Sequence, residues 1–295
     1  MTVPPGFDAF LGIDWSGSKS RTLKGIRVAR CEPGSRAPRL VDGPRPGGLW
    51  CRADVLEHIL DRRRTGERLL AGFDFAFAYA HQDAGAYFPG LEGGPATADE
   101  LWAFVERHAA GREDLYGGAL YEAGSPVAHH YWRAGPRPEG FVERRRRTEL
   151  ACGAITWPHP VFKCFSAANV GTGSLAGMRL LHRLAERAAV WPFEAPAALT
   201  VVEIFPRLYV RRAGVNPGRL YERPADVDAV LAAHGSAAYA GPPLDTEDKA
   251  DAVLSAAALR HLASAPGVWS APASEPASRR EGWIFGVESA NPGAP

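Results

Sequence analysis

Three acidic residues, Asp14, Asp74 and Glu203, each lie at or near the end of a short apolar segment. A carboxylate at the end of a buried strand destabilises the fold unless a cation or a hydrogen-bond donor accompanies it. Metal ions are common partners of clustered carboxylates, and oxygen ligands of this kind suit Mg²⁺ or Mn²⁺ rather than zinc or iron. We therefore predict that these three acids bind a divalent cation.

Two later aspartates extend this set. Asp248 and Asp251 lie in the segment Asp-Lys-Ala-Asp-Ala-Val-Leu, where a spacing of three places both on neighbouring positions of one helical face. Converging carboxylates are what a two-metal phosphoryl-transfer site requires. The predicted catalytic residues are therefore Asp14, Asp74, Glu203 and Asp251, and the predicted metal ligands are these four acids together with Asp248.

Each acid also has a purely structural interpretation. Asp14 would start a turn after its strand. The other two acids at strand ends would be paired with arginine in the core. Asp248 would be the third residue of a helix capped by Asp245, where a carboxylate stabilises free backbone N–H groups. Asp251 lies one turn further into that helix, so capping does not account for it.

The segments that carry the acids predict an α/β fold with a mixed sheet and flanking helices. Short apolar runs bounded by turn residues predict strands, and apolar residues at helical spacing predict helices. In chain order, the predicted elements are strands over Phe10–Asp14, Leu23–Ala29 and Leu40-Val41, a helix over Arg52–Arg63, strands over Leu69–Phe73 and Leu199–Phe205, and a long helix over Glu247–Ala263.

We interpret residues 1–289 as a single domain. Its core spans about 8–79 and 198–264, and residues 80–197, rich in Gly, Pro, His and aromatic residues, form a long insertion between the fourth and fifth strands. Residues 265–295 are predicted to be a Pro/Ala/Ser-rich linker and C-terminal tail, in which Gly282–Phe285 docks back as a strand.

Within the insertion, the sequence predicts a helix over Ala98–Ala110 and a glycine-rich loop, Gly171–Ser174, that leads into a helix over Leu175–Ala189. The N–H groups of such a loop bind phosphate at the start of a helix, so Thr172 and Ser174 are predicted substrate contacts. Alternatively, one of these two hydroxyls caps the helix.

Cationic residues of the insertion are further candidates for substrate binding. Lys163 and the run Arg144–Arg147 are placed to contact a nucleic-acid backbone, and the specific predictions are Lys163, Arg145 and Arg146. The alternative is a solvated basic run that is balanced by the two glutamates beside it.

Composition narrows the classes of function. The chain has 295 residues and a net charge of +1, so no global field attracts nucleic acid or an anionic membrane, and any site for a polyanion is local. The four cysteines lack C-x-x-C spacing, which argues against a zinc ribbon or a redox pair. No signal peptide and no long apolar run is present, so we expect a cytoplasmic protein with no membrane partner.

The order of these motifs resembles the ribonuclease H-like superfamily, and the last helix, with Asp-x-x-Asp-Ala, is most similar to Holliday-junction resolvases of the RuvC type. More closely, the chain resembles a bacterial and archaeal family of unknown function that is described as predicted RNase H-like nucleases. The similarity extends from residue 10 to about residue 264 and implies an RNase H-like fold with a metal site. The matching segments are Gly12-Ile-Asp-Trp-Ser-Gly17, Gly72-Phe-Asp-Phe-Ala76, Asn169–Gly177, Glu203-Ile-Phe-Pro206 and Asp248-Lys-Ala-Asp251-Ala252.

We therefore expect a metal-dependent nuclease that hydrolyses phosphodiesters with Mg²⁺ or Mn²⁺ and binds nucleic acid at a local site. In this hypothesis Asp14 bridges two ions, Asp74 and Asp251 each complete one coordination sphere, and Glu203 holds a metal or positions the attacking water.

Two other classes of function stay open. One is a nucleotide-dependent phosphotransferase of the actin-like fold, which would use Asp14–Lys19 as a phosphate loop. Such enzymes resemble two domains of this kind hinged around a nucleotide. The other is a catalytically inactive module that binds nucleic acid or protein.

Overall fold

A six-stranded mixed sheet forms the centre of the structure, a computed structural model that describes residues 6–20, 24–165 and 170–289. The strands are β1 (Ala9–Asp14), β2 (Arg27–Cys31), β3 (Arg39–Val41), β4 (Leu69–Phe73), β5 (Ala189–Val190) and β6 (Leu199–Glu203). They are arranged in the order β3-β2-β1-β4-β6-β5. β2 is antiparallel to β1 and β3, whereas β4, β6 and β5 continue parallel to β1. The predicted α/β class with a mixed sheet is confirmed, and β1 and β2 form an antiparallel pair at its front.

Helices flank both faces of this sheet. They are α1 (Arg52–Arg64), α2 (Ala98–His108), α3 (Arg147–Cys152), α4 (Val170–Leu184), α5 (Pro206–Arg212), α6 (Pro224–Ala233), α7 (Glu247–Ala263), α8 (Pro266–Ser270) and α9 (Ser278–Glu281). The bounds of α1, α2 and α7 confirm the predicted helices to within two residues.

Every residue of β1, β4 and β6 is buried, because helices cover both sides of these strands. On one face, Leu11 and Ile13 of β1 join an apolar cluster that includes residues of α1, α2 and α4. On the other face, Phe10 joins a cluster with residues of α5, α6 and α7. Alternate side chains of one strand therefore serve two cores, as the period of two requires.

The contact between β1 and α7 depends on a residue without a side chain. A Cβ atom at Gly12 would lie 2.2 Å from the carbonyl oxygen of Ala252 and 2.5 Å from the backbone nitrogen of Ala256. The backbones of β1 and α7 thus approach each other more closely than any larger residue at position 12 permits.

The insertion differs from the predicted arrangement at its glycine-rich segment. The predicted loop Gly171–Ser174 lies inside α4, which begins at Val170, and the strand β5 occupies the predicted end of that helix. A Cβ atom at Gly171 would lie 2.4 Å from the carbonyl oxygen of Val161, so this glycine serves close packing rather than a turn. Residues 166–169, including Asn169 of the resemblance, lie outside the described residues.

The C-terminal segment packs against the sheet instead of forming an extended linker. After α7, the short helices α8 and α9 follow, and the Trp269 ring of α8 lies 4.9 Å from that of Phe285, centroid to centroid. Ile284 forms a parallel bridge with Glu203, and the Phe285 N–H donates to the Glu203 carbonyl at 2.8 Å. The predicted docking of Gly282–Phe285 thus occurs through a single bridge.

Two further findings bear on the class of protein. Within the described ranges, every helix is too short or too polar to cross a membrane. All four cysteines are buried and free of disulfides.

Candidate active site

A cavity of about 760 Å³ opens at the carboxyl ends of β1, β4 and β6 and beside the N-terminus of α7. All five acids predicted from the sequence line it, namely Asp14, Asp74, Glu203, Asp248 and Asp251. The structure therefore brings together residues that are up to 237 positions apart in the chain (251 minus 14).

The register of the parallel strands places the first three acids side by side. Ile13 of β1 pairs with Phe73 of β4, so Asp14 and Asp74 follow the paired positions, and the Asp74 N–H donates to the Ile13 carbonyl at 3.0 Å. Phe73 also pairs with Glu203 of β6. Because parallel strands end at one edge of the sheet, three apolar strands deliver three carboxylates to one place.

The loop after Asp14 is fixed by a buried arginine. Arg52, which is fully buried, donates to the carbonyl oxygen of Ser16 at 2.7 and 2.9 Å and to that of Ser18 at 2.6 Å. The indole N–H of Trp15 donates to the Gly173 carbonyl at 3.2 Å. These bonds hold the backbone on the C-terminal side of Asp14.

Helix α7 supplies the remaining two acids. Its N-cap is Thr246, whose side chain accepts from the Lys249 N–H at 3.3 Å, so the predicted cap at Asp245 is wrong. Asp248 is consequently the second residue of the helix, and Asp251 follows one turn later. The close approach of α7 to β1 brings this turn over the end of β1.

The carboxylates at the centre of the cavity have strongly raised pKa values. Burial raises the pKa of Asp14 well above its usual range, and the neighbouring Asp74 and Asp251 raise it further. Burial and the nearby Glu203 raise the pKa of Asp74 to about 7. Burial and Asp74 likewise raise the pKa of Asp251 well above its usual range. In this environment the charged forms are unfavourable without a cation.

Three of these carboxylates have no side-chain partner among the described residues. Within the described ranges, no N–H group, hydroxyl or cation forms a hydrogen bond or ion pair with the side chain of Asp14, Asp74 or Asp251. Their donor set is oxygen-only, which is the kind that Mg²⁺ and Mn²⁺ prefer. Among the described residues, no three Asp, Glu, His or Cys side chains lie close enough together to hold a metal ion as they stand. Repulsion between like charges disfavours such a cluster in the absence of a cation.

Glu203 differs from these acids because an arginine binds it. The Arg146 guanidinium donates to both of its carboxylate oxygens, at 2.6 and 2.7 Å, and the Phe77 N–H donates to it at 3.0 Å. Arg146 is 1% exposed and also binds Glu149 at 2.8 Å. Arg146, predicted as a substrate contact, is therefore bound to two buried carboxylates. Glu203 forms the buried ion pair with arginine that its structural interpretation predicts.

The other residues of the basic run, and Lys163, are also paired within the protein. Arg145 and Lys163 share the carboxylate of Glu143, at 2.9 and 2.7 Å, and neither lines the cavity. Arg144 is buried and binds Asp83. Although the run is continuous in sequence, its members face different partners, so it forms no continuous basic surface over the acids.

The two hydroxyls predicted to bind phosphate lie inside helix α4. Thr172 and Ser174 are both buried. The Ser174 hydroxyl donates to the Val170 carbonyl at 2.7 Å and accepts from the Ala76 N–H at 3.0 Å. Ser174 therefore joins α4 to the segment after Asp74. It lies too far into α4 to cap that helix, whereas its predicted contact with substrate stays a prediction.

Several residues that line the cavity were not among the site residues predicted for the hydrolase. Lys24 and the exposed His159 line it, as do Ser16 and Ser18 of the loop after β1 and Glu247 at the start of α7. His159 belongs to the insertion, far from the acids in sequence, and an isolated histidine gives no spacing signal. The position of Ser16 and Ser18 just after Asp14 was the available signal.

Comparison of the chain with protein-family models, with curated proteins and with solved structures finds no significant match. What this site can do follows from its own residues.

Proposed function

We propose that this protein is a metal-dependent phosphodiester hydrolase with an RNase H-like architecture. The observation that carries the proposal is the set of three buried or half-buried carboxylates, Asp14, Asp74 and Asp251, that share one cavity and form no side-chain hydrogen bond or ion pair with any described residue. Unpaired carboxylates in such a place destabilise the fold, and a site retains them where their charge serves a ligand.

The order of elements supports the architecture. An apolar strand ending in an acid, an antiparallel hairpin, a helix, a parallel strand followed by an acid, and a late helix with two aspartates occur in the sequence order of the resemblance. The described residues build one sheet, whereas the actin-like class resembles two such domains. This favours the hydrolase over the phosphotransferase.

Asp14, Asp74 and Asp251 are the residues that would hold Mg²⁺ or Mn²⁺, with Asp248 at the edge of the set. When bound, the divalent cation supplies positive charge that activates water and neutralises the leaving oxygen. Glu203 accepts hydrogen bonds from Arg146 and from the Phe77 N–H, and these bonds orient the segment that follows Asp74.

Other residues of the cavity account for substrate handling. Lys24 is the lysine that lines the cavity and would bind a phosphate oxygen by charge. His159, exposed at the cavity, would move a proton to or from the substrate. Trp15 and Phe75 line the cavity as buried apolar walls that limit water around the acids.

A thermal-shift screen tests this proposal, because a ligand stabilises the folded state that it binds. We expect Mn²⁺ and Mg²⁺ to raise the melting temperature of the wild-type protein and to have no effect on Asp14→Asn. Stabilisation by ATP together with Mg²⁺, but not by the metal alone, would favour the phosphotransferase. Stabilisation by a short nucleic acid without any metal effect would favour the inactive binding module.

A further inference from the structure

A second cavity, of about 560 Å³, lies at the other end of α7 from the acids. Phe7, Phe10, His234, Arg260 and His261 are among its lining residues, and it shares none of them with the carboxylate cavity. Its size is typical of a pocket for a small organic molecule. No acidic side chain among the described residues lines it, in contrast to the first cavity.

Arg260 is a buried cation without a carboxylate partner among the described residues. It is 8% exposed, and its Nη1 group donates to two backbone carbonyls, those of Glu32 at 3.2 Å and Arg36 at 2.7 Å. Its Nη2 group has no hydrogen-bond partner. Neutral carbonyls leave the positive charge uncompensated, and a buried guanidinium is stabilised when an anion accepts its free N–H groups.

His234 brings a second unpartnered polar atom to the same cavity. It is 6% exposed, and its Nε2 lies 3.4 Å from the Tyr209 carbonyl, so Nε2 carries the proton and donates. In the neutral ring Nδ1 is then an acceptor, and it has no partner. Burial lowers the pKa of His234 to about 4, which keeps the ring neutral at neutral pH. A hydroxyl or protonated oxygen would satisfy Nδ1.

The rest of the cavity is apolar or open to solvent. Phe7 and Phe10 are buried and meet edge to face at 6.2 Å, centroid to centroid. The exposed ring of His261 lies 5.7 Å from that of His234 and stands beside the entrance. The cavity thus combines an unpaired cation and an unpaired acceptor with aromatic walls.

We propose that this cavity binds a small organic anion, in which a carboxylate or phosphate-monoester head accepts from Arg260 and an apolar body packs against Phe7 and Phe10. Carboxylates and phosphate monoesters share this anionic head group. The site is independent of the carboxylate cavity and of the hydrolase proposed for it.

Calorimetric titration of the full chain with benzoate, phenyl phosphate and inorganic phosphate tests the proposal, with EDTA present to exclude metal-mediated binding at the acids. We expect benzoate or phenyl phosphate to bind with a Kd of about 1 mM or tighter, and benzyl alcohol to bind at least tenfold more weakly. Binding of only one of the two aromatic anions identifies the head group that the cavity accepts. The difference in affinity between phenyl phosphate and inorganic phosphate measures how much the apolar body contributes to binding.

Substitution of the exposed His261 locates the binding without disturbing the core. His261→Glu places a negative charge at the entrance and should weaken anion binding by about tenfold or more, whereas the neutral control His261→Gln should retain it within about threefold. Equal binding to wild type and His261→Glu would overturn the proposal, because the anion would then bind elsewhere. Absence of binding by both aromatic anions, or equal affinity for benzyl alcohol, would overturn it as well.

Discussion

The guanidinium of Arg146 binds both carboxylate oxygens of Glu203, with Nη2–Oε1 at 2.6 Å and Nη1–Oε2 at 2.7 Å, in the cavity that also holds three acids without an ion pair to any described residue. Both side chains are almost fully buried. The pair gives Glu203 a cation within the protein, so the remaining carboxylates are the ones available to a divalent cation. It also joins the insertion to the end of β6, because Arg146 immediately precedes α3.

Loss of Arg146 should destabilise the protein strongly. In Arg146→Met, two buried carboxylates, Glu149 and Glu203, lose their cation, and breaking a buried pair in this way costs about 3–5 kcal/mol. The free energy of unfolding, measured by urea denaturation in EDTA, should fall by this amount. The matched change Arg145→Met, at a partly exposed neighbour, should cost about 1 kcal/mol or less. Equal effects of the two changes would contradict the assigned roles.

Asp14→Asn should leave the metal-free protein at least as stable as wild type, because the substitution removes one charge from a cluster of like charges. The same variant should lose all stabilisation by Mn²⁺. Melting temperatures with and without Mn²⁺ measure both effects, and Asp245→Asn, an exposed aspartate beside the same helix, is the control. If Asp14→Asn fails to fold while wild type shows no response to metal, Asp14 has a structural role instead.

Cleavage of a single-stranded or structured nucleic acid should require Mg²⁺ or Mn²⁺. Asp251→Asn should lower the rate by at least about 100-fold, because it removes a carboxylate that holds the cation. Arg145→Ala should have only a small effect, since Arg145 is bound to Glu143 outside the cavity. Activity that persists in Asp251→Asn, or in excess chelator, would indicate a contaminating nuclease.

Gly12→Ala should separate α7 from β1. The added methyl group would meet backbone atoms of α7 at 2.2 and 2.5 Å, and backbone cannot rotate away as a side chain does. We expect a loss of about 1–3 kcal/mol or more in the free energy of unfolding, together with weaker Mn²⁺ binding because Asp251 moves with the helix. Gly267→Ala, where a Cβ atom meets nothing within 4 Å, is the control and should be nearly neutral.

Stability should fall in acid partly because of His234. Burial lowers its pKa to about 4, below the ordinary value of 6.5, so the unfolded chain binds more protons between these values. The stability that neutral His234 contributes is complete above pH 6.5 and is lost as the pH falls towards 4, by roughly 3 kcal/mol at most. Urea denaturation across this range should show a flatter profile for His234→Asn. The exposed control His182→Asn should retain the wild-type slope.

The sequence by itself determined the elements that deliver the acids. Two strands, those that deliver Asp14 and Glu203, were predictable because burial on both faces of a sheet produces continuous apolar runs. The helix over Glu247–Ala263 was predictable because apolar residues recur at helical spacing. These signals depend only on residues that are close in the chain, so a single sequence is enough to detect them. The order of the elements also sufficed to predict that the acids would share one place.

Only the tertiary structure decided which charges pair and what the glycines do. Arg146 was predicted to meet a substrate, but its partner Glu203 lies 57 positions away, and no local pattern identifies such a partner. Gly171–Ser174 has the composition of a loop, yet it is helical because backbone from elsewhere packs against it. Likewise, the Pro/Ala/Ser-rich segment after α7 folds into short helices because the aromatic rings of Phe7, Trp191 and Phe285 receive its Trp269. In each case the deciding contact is long-range, and it exists only once the chain has folded.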